Sequence, residues 1–461
     1  MKKSLQSGVH SQHLRPASRT LVRFDDMAEN VTDRVDPAEA AAEGVECYVG
    51  LEHLDTESLK IRRWGTPDDV IGQKFRFRKG DIIFGRRRCY QRKLAVAEFD
   101  GICSAHAIVL RAKKDTVEKD FLPFFLQSDM FMERALAISV GSLSPTINWR
   151  TLRVQEFPLP PRDEQRSIGE ILWAAEDNRE TYLAAALQSE KLRRTALFAV
   201  MSKGIGCADR AHTPLGELPR HWRVAQIRDM GEVLLGRQRS PKYQTGKYSK
   251  PYLRVANVFD GFFDLTDVLE MDFDQRDYAT YALKPDDILL NEGQSRELVG
   301  RCAIWDGQID RCCFQNTLVR FRAGEDVLPR FAYHYFQYAF YKGIFASVAR
   351  QTTSIAHLGA DRFGKLCMPV PPLGEQETIC RQLQNMEEQR DCLRKHLEAV
   401  DVMRYNLRER LLDGASHMPV EGLETRSRDR HTEAQGNHCG ICNGSPVAPA
   451  LSPRRKGKGK P

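Results

Sequence analysis

The chain has 461 residues, of which 41% are hydrophobic and 28% charged, with a formal net charge of +7. That length suits two to four soluble globular domains. No stretch approaches 18 continuous apolar residues and no apolar segment follows the basic start MKKSLQSGVHSQHLR, so neither a spanning helix nor a secretory leader is expected.

The 12 cysteines follow no regular spacing, and Cys47, Cys103, Cys302 and Cys367 sit in apolar runs. This is the pattern of reduced thiols in a cytoplasmic protein rather than of a disulfide framework. The basic balance is compatible with a nucleic-acid partner and does not require one.

In chain order, residues 1–19 read as a flexible arm. Residues 20–158 read as a mixed α/β domain, with strands in ECYVGL, GDIIFG, KLAVAEF and AHAIVLRA and one helix in FLPFFLQSDMFMERALAIS. Residues 159–204 open on the diproline Pro160-Pro161, after which 162–203 hold no proline and no glycine but Gly169, the composition of a long helix. Asp163 is its expected N-cap and Gly204 its stop. A second α/β domain is expected over 205–369, with strands in PYLRVANV, DDILL, GRCAIW and TLVRFR and one helix in FAYHYFQYAFYKGIFASVA. The aromatics Phe331, Tyr335, Tyr338 and Phe345 of that helix read as core. A second long helix over 370–414 has Gly374 as its expected N-cap, and 415–461 read as a disordered basic tail. The two long helices carry apolar stripes: Ile168, Leu172, Ala175, Tyr182, Ala186, Leu192 and Leu197 in the first, and Ile379, Leu383, Met386, Leu393, Leu397, Val400, Leu407 and Leu411 in the second. Stripes of this kind on rods of about 60 Å predict an antiparallel coiled coil of the two.

The fold class is therefore α+β, with two mixed α/β domains alternating with two long paired helices. The order reflects a duplication. PLPPRDEQ at 158–165 returns as PVPPLGEQ at 369–376, 211 positions later. Gly80-Asp81-Ile82-Ile83 faces Asp286-Asp287-Ile288-Leu289, Tyr48-Val49 faces Tyr252-Leu253, and Cys103 faces Cys313, at offsets of 206, 204 and 210. Matches that keep one order along the chain point to a repeat of about 200 residues.

Catalytic motifs are missing. No phosphate-binding GxxxxGK[ST], no GxGxxG after a strand, no HExxH and no GxSxG occurs. Pro67-Asp68 and Pro285-Asp286 lack the acidic-x-Lys pair of a nuclease. His438-Cys439-Gly440-Ile441-Cys442 offers one CxxC without the second pair that a zinc site needs. No metal site and no cofactor are expected in this chain.

The doubled P-x-PP-x-x-EQ before a long helix, each preceded by an α/β domain, resembles the specificity subunit of type I restriction–modification systems. Leu215-Gly216-Glu217-Leu218-Pro219-Arg220-His221-Trp222 is similar to that family's lead-in to a recognition domain, as is the Tyr252–Val258 stretch YLRVANV. The first domain departs from this, with YVGLEHL and no LGxLPxxW. The resemblance implies two target recognition domains that read an asymmetric, bipartite double-stranded DNA site. It implies a non-catalytic chain that recruits two modification subunits, which use S-adenosylmethionine, and restriction subunits, which use ATP and Mg2+. A specificity partner of a fused methyltransferase–nuclease and a coiled-coil adaptor without DNA binding stay open as alternatives.

Base and phosphate contacts need exposed basic and amide side chains. The stretch GRRRCYQRK offers Arg86, Arg87, Arg88, Arg92 and Lys93, and its counterpart NEGQSREL offers Asn291, Gln294, Ser295 and Arg296. GRQRSPKY adds Arg237, Gln238, Arg239 and Lys242. Before the diprolines stand Ser142, Ser144 and Asn148 in one copy and Gln351, Thr352 and Thr353 in the other.

Overall fold

The computed structural model describes residues 19–141, 144–240, 244–351 and 355–413. The expected tail with its HCGIC element, and the expected arm before Arg19, lie outside the described residues. The described chain forms two compact units. One holds the residues up to Ala184 together with those from Lys395, and the other holds Ala185–Arg394. The units thus cut across the linear domain order, because each takes part of both long helices.

The first unit contains a four-stranded antiparallel sheet in the order Ala28–Val31, Ala107–Ala112, Ile82–Gly85, Leu94–Val96. The second repeats it as Gly231–Leu235, Leu318–Ala323, Ile288–Asn291, Cys302–Ile304. The central strands read as apolar runs because both faces are covered. Ile82 and Phe84 face one cluster with the helices, while Ile83 packs with Val49, Phe77 and Cys103. Ile288 and Leu290 face one way and Leu289 the other in the second unit. The buried Asp81 takes a bidentate pair from Arg111 at 2.7 and 2.8 Å, and the buried Asp287 takes the same pair from Arg322 at 2.6 and 2.7 Å.

A further small sheet carries a parallel strand pair in each unit. Tyr48–Val49 lies beside Gly101–Cys103, and Ser249–Leu253 lies beside Cys313–Phe314. The registers are Val49↔Cys103 and Leu253↔Phe314. Cys103 therefore corresponds to Phe314 rather than to Cys313, one place from the sequence match. The two cysteines look alike in sequence, but strand register decides which face each occupies.

Each expected core helix is two. Ser128 interrupts the first between Leu122–Gln127 and Asp129–Ala137, donating to Phe125 O at 2.7 Å and accepting from Phe131 N at 3.2 Å. Gly343, at φ +77°, divides Pro329–Tyr341 from Ile344–Val348. Phe331, Tyr335, Tyr338 and Phe345 are buried in the core.

The long helices are Arg162–Lys203 and Leu373–Asp413. Asp163 and Gly374 are not caps: they sit inside the first turn, and the carbonyls of Pro161 and Pro372 accept the first helical bonds. Gly204 ends the first helix at φ +67°. The duplicated glutamine explains the octapeptide. Gln165 is buried, accepts from Glu118 N at 2.9 Å and donates to Pro160 O at 3.0 Å. Gln376 is buried, accepts from Leu328 N at 2.8 Å and donates to Pro371 O at 2.8 Å. One side chain fastens the diproline, the helix start and the connection ahead of the core helix.

Along the expected stripes, Ile168, Leu172, Ala175, Ala186, Leu197, Ile379, Leu383 and Leu397 are buried, and Tyr182, Met386, Leu393, Val400, Leu407 and Leu411 are half-buried. Leu192 is a correction. It is 57% exposed, and its neighbour Arg193 takes the inward place with no exposed surface. Charged pairs are what the apolar reading missed. In the first unit Glu176 accepts from Arg404 at 2.5 Å, Arg179 donates to Asp401 at 2.5 Å, and Tyr182 stacks on His396. In the second unit Arg193 lies 3.7 Å from Glu387 and Arg390 3.8 Å from Glu190. These are the same two pairs with the helices exchanged, since each position has its counterpart 211 residues away, with Glu190 standing where the other copy has Asp401. Within each unit one residue number rises as its partner's falls, so the helix segments there run antiparallel.

Two outcomes follow. Replacing Gln165 with Leu leaves buried backbone groups unsatisfied and should cost about 1–3 kcal/mol, read as a lower denaturant midpoint; an unchanged midpoint would contradict the anchoring role. His334 stands where the first copy has Phe124, fully buried and facing Glu387, Arg193 and Arg330. Burial, with Arg193 and then Arg330 adding to it, lowers its pKa to about 3. The unfolded histidine takes its proton near pH ~6.5. Its contribution is therefore complete above that pH and falls on acidification toward the folded value by up to about 1.4 kcal/mol per pH unit. His334→Phe should flatten the acid side of the stability–pH curve, measured by thermal melts between those limits.

Candidate nucleic-acid interface

Each unit brings together two stretches that lie far apart in sequence. In the first, residues 86–93 leave the strand Ile82–Gly85 and meet residues 140 and 144–147. Arg87 bridges to Thr146, and Thr146 bridges to Val140. Arg88 N donates to Pro145 O at 2.8 Å, Ile147 N to Arg86 O at 3.0 Å, and Arg87 Nε to Ser144 Oγ at 3.0 Å. In the second unit Gly293–Gln294 pairs with Ala356–His357, which pairs in turn with Arg350–Gln351. This is the same three-segment ladder, with Thr146 and Ala356 at its centre, 210 positions apart. Two candidate stretches that the sequence offers separately are one surface in each unit.

The ladder is alike and its chemistry is not. Arg87 and Arg88 are exposed and Arg86 half-buried in the first unit. In the second, Arg296 and Gln351 are exposed, and Gln294 and Ser295 are half-buried, with Gln294 Oε1 accepting from Ser295 N at 3.0 Å. Asn148 is exposed at the N-cap position of the short helix Trp149–Leu152 and makes no side-chain cap bond. Gln238 and Arg239 are exposed. Ser142, Lys242, Thr352 and Thr353 lie outside the described residues.

Four candidates are turned to other work. Asn291 has no exposed surface and donates to Val258 O at 3.3 Å, so it is a structural amide. Arg237 is buried, paired with Asp277 and donating to Asp272 O, with its guanidinium over the Phe273 ring. Arg92 donates to Asp129 at 2.5 Å and to Gln127 O at 3.2 Å. Lys93 donates to Leu51 O at 2.9 Å, and burial holds its ammonium below the usual lysine range. Side-chain type proposed these residues, and strand alternation and local pairing turned them inward.

Further residues, not singled out by side-chain type, are exposed beside these stretches. Tyr90 is 52% exposed at the tip of a single 3-10 turn, Cys89–Gln91, whose buried Cys89 anchors it. Arg350, Val140 and Ile355 are exposed on the ladders. Tyr248, with the Lys247 ammonium over its ring, is exposed on a loop that Asp272 gathers by accepting from Thr245, Gly246 and Tyr248 backbone N–H groups. The 210-residue offset from the arginine-rich copy was the available signal for Arg350. No cluster of metal-ligating side chains occurs among the described residues, and none of their helices is long and apolar enough to cross a membrane.

A family model described as the type I restriction modification DNA specificity domain matches residues 70–184 and 219–401, more than half of the chain. The type I restriction enzyme EcoKI specificity subunit of Escherichia coli K12 is 22% identical over 372 residues, covering 78% of this chain and 76% of its own length. The putative type I restriction enzyme MjaX specificity subunit of Methanocaldococcus jannaschii is 25% identical over 201 residues, 43% of this chain and 47% of its own, so the match spans about half of that relative. The type I restriction–modification system S subunit from M. genitalium superposes with a TM-score of 0.51 at 15% identity, covering 90% of this chain and 99% of that one. A chain from a structural study of complex assembly and conformational transition in a type I system gives 0.54 at 20% identity, covering 86% and 97%. At these identities the structural likeness is one of fold.

Proposed function

We infer the function of this chain from the family to which it belongs, that of the type I restriction modification DNA specificity domain. It is a specificity subunit, and its task in a restriction–modification system is DNA recognition. Each of its two recognition domains reads one half of a split double-stranded DNA site. The observation that carries this reading is the ladder built twice with different polar side chains: arginines around Arg87 in one unit, and Gln294, Arg296 and Gln351 in the other. Equal scaffolds fix equal placement, and unequal side chains read unequal sequences. The site is therefore bipartite and asymmetric, unlike the palindrome that a symmetric dimer reads.

The long helices form an antiparallel coiled-coil spacer that sets the gap between half-sites. Support comes from the exchanged ion pairs Glu176–Arg404 and Arg193–Glu387, and Arg179–Asp401 and Arg390–Glu190. The chain does no chemistry itself. It recruits two modification subunits, which use S-adenosylmethionine to methylate adenine, and restriction subunits, which use ATP and Mg2+, in the cytoplasm.

The exposed arginines give a direct test. Arg87→Ala and Arg88→Ala each remove a cationic contact with DNA. In the complex with the modification subunit, each loss should weaken binding and lower the slope of log affinity against log salt by about 1 if the contact is to phosphate. A guanine contact should instead cost about 1–3 kcal/mol of discrimination at one position. Unchanged affinity, slope and modified sites in the double variant would remove this surface from the interface.

A further inference from the structure

We infer that the last long helix positions the first unit's reading loop, so that Tyr405 and Arg408 govern recognition of one half-site only. This rests on the functional reading above. The loop's tip, Cys89–Gln91, lies between two non-glycine residues in the left-handed region, Arg88 at φ +54° and Arg92 at φ +49°. Arg92 is held from below by two carboxylates. Its guanidinium donates to Asp129 Oδ1 at 2.5 Å and lies 3.6 Å from Glu57 Oε1. The helix Leu373–Asp413 holds both carboxylates from the other side. Tyr405 OH donates to Asp129 Oδ2 at 2.6 Å, and Arg408 Nη1 donates to Glu57 Oε2 at 2.7 Å. Arg404 donates to Glu57 O at 2.5 Å, and Glu409 accepts from Asp129 N at 3.0 Å.

The strain in this brace is informative. Glu57 is also left-handed, at φ +56°. In the second copy the places of Glu57 and Arg92 are taken by Gly261 and Gly300, 204 and 208 positions on, at φ +84° and +83°. The offsets are those of the flanking strands, Tyr48 with Tyr252 and Leu94 with Cys302. Glycine adopts this backbone freely, whereas other residues held in sparsely populated backbone regions cost of order 1–3 kcal/mol and persist where surroundings over-determine them. The first copy thus carries side chains at two strained positions, and those side chains are partners in one network. The second copy has hydrogens there. Backbone conformation is shared, and side chains at these two positions enter an ionic brace in the first unit, whereas in the second the neighbouring Asp260 meets Tyr341 and Arg194 instead.

The test uses the full chain in complex with its modification subunit, assayed for methylation on DNA bearing single base changes in either half-site. Tyr405→Phe removes one hydrogen bond and keeps the ring. Glu57→Gly removes the carboxylate and its backbone strain and copies the second unit. Tyr341→Phe, which removes a bond to Asp260 in the second unit, is the control. Both brace variants should fold, relax discrimination in one and the same half-site by about tenfold, the lower part of what a good base contact supplies, and leave the other half-site and the salt slope unchanged. The control should leave that half-site intact. Wild-type discrimination in both halves, or equal relaxation of both, would overturn the inference. A wild-type complex that methylates without sequence preference would overturn the functional reading itself, and the inference with it.

Discussion

Each long helix begins at a buried glutamine whose amide closes on the diproline carbonyl five residues earlier and accepts a backbone N–H from the connection ahead of the core helix. The geometry leaves little slack. A buried amide that misses its partners costs more than the bonds gain on average, so the glutamine holds one arrangement of helix and domain rather than a range. This joint is made twice with the same atoms, once at Gln165 and once at Gln376. The lead-in to the second domain adds to it: Glu375, the residue before Gln376, accepts from Trp222 Nε1 at 3.0 Å and meets His221 at 2.7 Å.

The helix seam follows a related logic. Buried ion pairs such as Glu176–Arg404 contribute little net stability over an apolar pair of equal size, because desolvation offsets the attraction. Removing one partner is costly, however, so a slipped register that separates Glu176 from Arg404 or Arg193 from Glu387 is penalised. We read these pairs as devices that fix register, a role apolar residues perform less selectively.

Much of this was legible in the sequence. The doubled octapeptide gave the repeat, the diproline and the glycine at 204 marked the helix, and the apolar runs located the central strands. Those signals are local and depend on side-chain type. What stayed hidden depends on backbone angles and on partners distant in sequence. Nothing in Arg92 or Glu57 as letters says that φ is positive, although glycines at the corresponding places of the second copy were a clue. Arg193 takes the inward place expected of Leu192 because a long arginine reaching Glu190, Gln337 and Tyr341 satisfies burial better than periodicity alone suggests. Asn291 and Arg237 read as polar residues in loops, and both are buried and donate to backbone carbonyls inside the fold. The ladders joining 87 to 146 and 294 to 356 are pairings between segments about 60 residues apart, and no periodicity within either segment announces them.

The central claim is that two different readers are held on one spacer of set register. It is tested most directly by mapping N6-methyladenine across the genome of a methylation-free host that expresses this chain with its modification subunit. The account predicts one asymmetric motif in two parts, with an invariant gap, methylated on both strands. A palindromic motif, a continuous one, or a pair of half-sites at variable spacing would contradict it.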